Sequence, residues 1–172
     1  MNRWTCSTNL VASLLRFQVE RVALIWDEIY YLGQKHWAET EGYQIYPFNP
    51  DKDRYISYNE SGFYRQYTAR TENGEIAGHA GIYITVSMHT QISIAQEDTW
   101  YLLPEHRKGR NALNLLKFVE NDLRQMGVME LMMSAKLSNK SGRIMELSGY
   151  EHIGNQYLKR LHNVRSLAAS GA

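Results

Sequence analysis

Cysteine is almost absent from this chain: Cys6 is the only one in 172 residues. A single cysteine excludes an intrachain disulfide and a thiolate metal cluster, and it fits a reducing compartment. No apolar run approaches the roughly 18–20 residues that a membrane-spanning helix needs. The N-terminus lacks the cationic, then apolar, then small-residue pattern of a secretory leader. Together these absences point to the cytoplasm and to no membrane partner. Neither sign of charge is in excess: 19 Lys and Arg face 18 Asp and Glu, a formal net charge of +1. That balance argues against nucleic acid as a partner. Neither GxxxxGK[ST] nor GxGxxG occurs, and with no HExxH, no CxxC and six scattered histidines, no metal site is expected.

What remains is an ordinary globular composition, 44% hydrophobic and 22% charged, long enough for one domain with a proper core. Val11, Leu14, Leu15, Val19, Val22, Ile25, Trp26 and Ile29 recur at helical spacing, which predicts one long helix or two over 9–42. His36 and Trp37 lie on it and read as packed rather than functional. Residues 43–61 hold two of the three prolines and read as loop with one short strand. The period then falls to two. "FYRQYTAR" and "EIAGHAGIYITVS" flank "TENG", a hairpin turn, and "QISIAQEDTWYLL" supplies a third antiparallel strand over about 91–103.

After Pro104 the pattern is helical again, with Ala112, Leu115, Leu116, Val119, Leu123 and Met126 on one face and Gly127 as the stop. "VMELMMSAK" (128–136) reads as a buried strand. A strand, helix and strand in succession make a right-handed crossover, so strands 91–103 and 128–136 should be parallel. A short helix over 141–149 and one or two closing strands over 150–161 follow. Residues 162–172 have little to bury and are expected to fray. The whole reads as one α+β domain over 1–161, with helices in 1–42 and a largely antiparallel sheet in 43–161.

The densest cationic cluster is Arg107, Lys108 and Arg110, set around Gly109 where a strand gives way to a helix. A helix N-terminus exposes unpaired N–H groups and the positive end of its dipole, so it attracts anions. Gly109 lets the backbone approach a ligand closely. This is a plausible pyrophosphate cradle, and a solvated basic turn explains the charge and the glycine equally well.

"EDTWYLLPEHRKGRNALNLLKFVENDLRQMG" resembles the central motif of the GNAT superfamily of acyl-CoA N-acyltransferases, written [RQ]xxGx[GA] at a strand-to-helix turn. "ELSGYEHIGNQYLKRL" resembles the closing segment of that family. The likeness covers about 43–161, is closest over 97–161, and has the flavour of phage-encoded members, which would place the protein in a host cytoplasm. The motif departs from the pattern. Aligned on the following "LL…E" it reads Arg107 to Ala112, with Arg110 where a glycine is usual. Aligned on Gly109, His106 replaces the Arg or Gln.

The resemblance implies acetyl-CoA as acyl donor and an amine as acceptor. It implies pyrophosphate contacts from backbone N–H groups of Lys108, Gly109, Arg110, Asn111 and Ala112, with charge from Arg107, Lys108 or Arg110. Leu102 and Leu103 would supply amides to the thioester carbonyl, and Asn139 a cofactor contact. The candidate general base is Glu97 or Asp98. Neighbours in a strand face opposite ways, so only one of them points easily into a cleft. His79 and His89 are weaker candidates. Where many members carry a proton-donating tyrosine this chain has Met145, with Ser141, Ser148 or Tyr150 as substitutes. The alternative is a GNAT-like binding protein with little or no activity. A sheet edge or the first helix could pair two copies as a homodimer.

Overall fold

Alternating apolar and polar residues between Tyr64 and Leu102 build the middle of the molecule. The computed structural model describes residues 14–137, 139 and 141–161. In chain order these form β1 (Arg16–Val19), α1 (Val22–Thr40), α2 (Lys52–Glu60), β2 (Tyr64–Arg70), β3 (Ile76–Val86) and β4 (Ser93–Leu102). A 3₁₀ turn (Pro104–His106), α3 (Asn111–Gln125), β5 (Glu130–Met132) and α4 (Ser141–Leu147) follow. The sheet runs β1-β2-β3-β4-β5, antiparallel throughout except for the parallel β4–β5 pair. The mixed α+β architecture expected from the sequence is therefore present.

Each face of the sheet is covered by helices. Tyr67, Ala80, Ile82, Ala95 and Leu102 pack with Leu115, Val119 and Leu123 of α3. Burial of each of these large α3 side chains contributes about 1.5–3 kcal/mol. On the opposite face Val22, Ile25 and Ile29 of α1 pack with Tyr64, and Trp26, Tyr55 and Ile56 complete that layer.

Three expectations are corrected. The helical pattern does not extend back through 14–19: Arg16–Val19 is an edge strand paired with Tyr67–Arg70. Leu15 and Val19 sit at helical spacing from Val22, but Leu15 and Phe17 also alternate, and tertiary pairing with β2 selects the strand. Residues 9–13 lie outside the described residues. α1 runs through Gly33 and carries a kink at Ile25 (φ −128°, ψ 18°).

The proline-bearing stretch contains a helix. Asp51 caps α2 by accepting from Arg54 N at 3.1 Å, the usual role of Asp before a first turn. Asn59 near its end accepts from Val22 N and donates to Tyr64 O, both at 3.0 Å, fixing α2 between α1 and β2. Finally, 150–161 is not in a strand, and Ile153, Tyr157 and Leu161 are exposed. The tail expected over 162–172 lies outside the described residues. Among the described residues no helix is long and apolar enough to cross a membrane.

Candidate active site

The two edges of β4 have different fates. Its pairing with β3 is continuous but bulged: Gly81 faces Thr99 while Ile82 faces Glu97, leaving Asp98 as the extra residue. A bulge breaks the two-residue alternation. Asp98 and Thr99 therefore both line the α1 face, and Glu97 goes elsewhere. Its pairing with β5 ends early, at Gln96 opposite Met132. Beyond that point Glu97 spans the gap by its side chain, accepting from Ser134 N at 3.2 Å and Ser134 Oγ at 2.5 Å. Burial raises the Glu97 pKa, with the Ser134 bonds opposing.

β4 then runs on to Leu102 with no β5 partner among the described residues. Leu103 N–H donates to Ala77 O of the β3 side at 2.9 Å. Successive amides of a strand point to opposite sides, so the Leu102 amide is turned into the gap. The Leu103 amide is occupied and Leu102 is the one available.

Past Leu102 the chain enters the basic loop. Gly109 adopts φ +66°, the left-handed region that favours glycine, with open space around it. α3 starts at Asn111 after Arg110, with no side-chain cap and no acidic residue in its first turn. Its first amides therefore lack both an intrahelical acceptor and a capping group. Lys108 and Arg110 are exposed and form no ion pair among the described residues. Asn111 Nδ2 donates to His106 O at 3.0 Å.

Arg107 is differently employed. It donates to Leu102 O at 2.8 Å and to both Glu39 oxygens at 2.6 Å, and its guanidinium lies 5.0 Å from the Tyr101 ring centre. It ties the loop to α1, and its hydrogen bonds lower the Glu39 pKa.

On the α1 face of β4 a pocket opens between α1, the segment at Phe48 and the sheet. Rings of Trp26, Tyr30, Trp37, Phe48, Tyr55 and Tyr64 line it, with Asp98 and Thr99 along one side. Asp98 accepts from Tyr55 Oη at 3.1 Å and Tyr64 Oη at 3.2 Å. Burial pushes its pKa up, against hydrogen bonds from Tyr55, Tyr64 and Tyr83 that hold it down. Burial and the Asp98 charge in turn raise all three tyrosines, Tyr83 to about 12. His36 Nδ1 is 3.0 Å from Thr99 Oγ1, and burial lowers its pKa. His79 is fully enclosed, and burial pushes it down to about 3, so its imidazole is neutral.

Asn139 is exposed and accepts from Ser141 N at 2.9 Å and Ser141 Oγ at 2.6 Å. Met145 is buried in α4. Tyr150 Oη donates to Glu120 at 2.9 Å and Ser148 Oγ to Ile144 O at 2.8 Å. His89 lies in the exposed β3–β4 turn. The structure thus groups Leu102, Lys108–Ala112 and the gap on one side of β4, and Asp98 with the aromatic pocket on its face. Sequence reasoning missed Tyr55, Tyr64, Gln66 and Phe48 as pocket residues. The Asp51 cap was the available signal for α2, which delivers Tyr55.

Comparison with known proteins accords with this geometry. A sequence search of curated proteins gives no match. Among solved structures the chain resembles ribosomal-protein-alanine N-acetyltransferase from Brucella melitensis biovar Abortus 2308, at TM-score 0.66 and 16% identity over 86% of this chain and 99% of that one. It also resembles glucosamine-6-phosphate N-acetyltransferase from Arabidopsis thaliana, at TM-score 0.63 and 12% identity over 87% and 99%. An aminoglycoside acetyltransferase from an uncultured soil metagenomic sample, in complex with sisomicin, gives TM-score 0.65 and 12% identity over 87% and 96%. At such identities these likenesses establish the fold. The model of the acetyltransferase (GNAT) family matches residues 26–143, more than half of the sequence. This chain, with its short parallel β4–β5 pair and its cationic turn into α3, belongs to the acetyltransferase (GNAT) family.

Proposed function

We propose that the protein is an N-acetyltransferase that moves an acetyl group directly from acetyl-CoA to an amine. One observation carries the reading: where β4 loses its β5 partner, a bulge against β3 turns Asp98 onto the α1 face. The unpaired edge of β4 leads to the uncapped N-terminus of α3, and the bulge presents Asp98 to the aromatic pocket.

In this reading the diphosphate of acetyl-CoA sits against amides of Lys108, Gly109, Arg110, Asn111 and Ala112. Lys108 and Arg110 add charge, because Arg107 is committed to Glu39. The pantetheine arm follows the gap, and the Leu102 amide donates toward the thioester oxygen, where negative charge develops. The acceptor enters from the pocket as R–NH₃⁺. Asp98, directly or through one water, takes a proton to give R–NH₂. The nitrogen attacks the carbonyl carbon, a C–N bond forms, the C–S bond breaks, and CoA leaves as thiolate. The amine proton lost on collapse protonates that thiolate. Met145 cannot donate a proton, and a thiolate is a competent leaving group without one. Holding amine and thioester together supplies much of the rate.

The test is to incubate the protein with acetyl-CoA and a panel of amines and follow free thiol together with acetylated product by mass. Amine-dependent release of CoA with matching product supports the reading. Acetyl-CoA binding without transfer to any amine would favour a binding protein of the same fold.

A further inference from the structure

Among the described residues fifteen line the pocket, and none is Lys or Arg. Its two carboxylates are not equivalent. Glu41 already has a cation, Lys136 Nζ at 2.6 Å. Asp98 receives only neutral tyrosine hydroxyls. An acceptor bearing a carboxylate or phosphate would meet no counter-ion here and would face Asp98 in a poorly hydrated space, a strongly unfavourable arrangement. A cation suits the same walls, because Trp26, Tyr30, Trp37 and Tyr55 line them, aromatic rings attract positive charge, and Asp98 completes the compensation.

The floor adds a second requirement. Gln66 Oε1 and both ring nitrogens of His79 have no hydrogen-bond partner, although Gln66 is 1% and His79 4% exposed. Buried polar atoms are normally paired. The two residues are near neighbours on one sheet face: Gln66 pairs with Gly81, two positions along β3 from His79. Gln66 Nε2 is satisfied by Tyr67 O and Ala80 O, so its amide cannot turn over without losing both. The unmet set is therefore an amide oxygen, one imidazole acceptor and one imidazole N–H. A hydroxyl that donates to the Gln66 amide oxygen and accepts from the imidazole N–H answers two of these three, and a methyl group answers none.

We infer that the acceptor is a small cationic amine with no anionic group and with a hydroxyl remote from the amine, received by Gln66 and His79. This rests on the acetyl-transfer reading for the word acceptor, but the site itself can be tested without acetyl-CoA. Calorimetric titration of the full chain with tyramine, phenethylamine and tyrosine separates the two requirements. Tyramine should bind at least about tenfold more tightly than tyrosine, which adds a carboxylate, and than phenethylamine, which lacks the hydroxyl. Gln66→Met should remove the preference for tyramine over phenethylamine and leave phenethylamine binding in place. If that variant does not fold, the wild-type comparison decides alone. Equal affinity for tyramine and tyrosine overturns the charge requirement, and equal affinity for tyramine and phenethylamine overturns the hydroxyl requirement. Absence of binding by all three overturns the site. A parallel titration with acetyl-CoA keeps the two readings apart: selection of tyramine without acetyl-CoA binding contradicts the transferase and leaves the amine site standing. Acetyl-CoA binding with no discrimination among the amines does the reverse.

Discussion

Replacing Gly81 with alanine should disarm Asp98 without touching it. A Cβ at Gly81 would stand 1.7 Å from Tyr64 Oη, 2.5 Å from Tyr64 Cζ and 3.1 Å from Thr99 Cγ2. Tyr64 is 2% exposed and held by Val22, Ile25 and Ile29, so the ring cannot simply swing into solvent. It must shift, and its bond to Asp98 is lost. Overpacking costs about 1–3 kcal/mol, and a hydrogen bond to a charged group contributes about 1.5–3 kcal/mol. We expect Gly81→Ala to destabilise the protein by about 2.5–6 kcal/mol in denaturant unfolding at neutral pH. Tyr64→Phe should lose only the hydrogen-bond part. The double variant should cost less than the two single changes together, because both remove the same bond and phenylalanine lacks the oxygen that the new methyl strikes. A functional consequence follows from the sign of the pKa shifts. Burial raises Asp98 and the tyrosine hydroxyls oppose it. Without Tyr64 Oη the carboxyl keeps its proton to higher pH. The base is the carboxylate, so turnover falls as pH drops through this raised pKa, and the acid limb should move to higher pH in both single variants. Wild-type stability together with an unmoved acid limb in Gly81→Ala would refute the reasoning.

Asp98→Asn should lower turnover by about 10²-fold or more, the usual range for losing a positioned base, whereas Glu97→Gln, whose carboxyl is occupied by Ser134, should act more weakly. Wild-type rates in both would move the base elsewhere. Arg110→Glu should weaken acetyl-CoA binding at least about tenfold, roughly 1.4 kcal/mol. Unchanged affinity in calorimetry would remove that residue from the cofactor site. Asp122 joins α3 to β2 through Arg65 at 2.5 and 2.9 Å and Tyr67 Oη at 2.8 Å. Burial raises its pKa, but Arg65 and Tyr67 more than offset this and leave it lowered. Its contribution is therefore present at neutral pH and lost as pH falls through that lowered pKa. Asp122→Asn should be less stable than wild type at neutral pH, and the gap should close on acidification below the ordinary carboxylate range. A gap that persists in acid would make the contact steric rather than electrostatic.

The parts of this fold written in the sequence are those where one periodicity dominates. β2, β3, β4 and α3 follow directly from alternation and from the Leu115–Leu123 stripe, and the parallel β4–β5 pair follows from the crossover rule. Leu15, Val19 and Val22 satisfy a helical period and Leu15 and Phe17 a strand period, and only pairing with β2 decides between them. The 150–161 segment has strand-like composition but no ladder. At the site, the cationic loop and the Glu97–Asp98 pair were legible because charge and glycine cluster locally. The bulge that separates the two carboxylates was not, because it depends on register with β3. Arg107 shows the same limit: its charge suggested an anion, and Glu39, sixty-eight positions away, claims it. The aromatic pocket was invisible for that reason too, being assembled from α1, α2, β2, β3 and β4 at once.

The central claim is that the edge of β4 and the start of α3 form one seat for acetyl-CoA. Backbone amide NMR spectra of the full chain, recorded with and without acetyl-CoA, test it most directly. Shifts concentrated at the amides of Leu102 and of Lys108 through Ala112 are expected. A titration that leaves these amides unmoved while acetyl-CoA binds, or that shows no binding at all, would contradict the account.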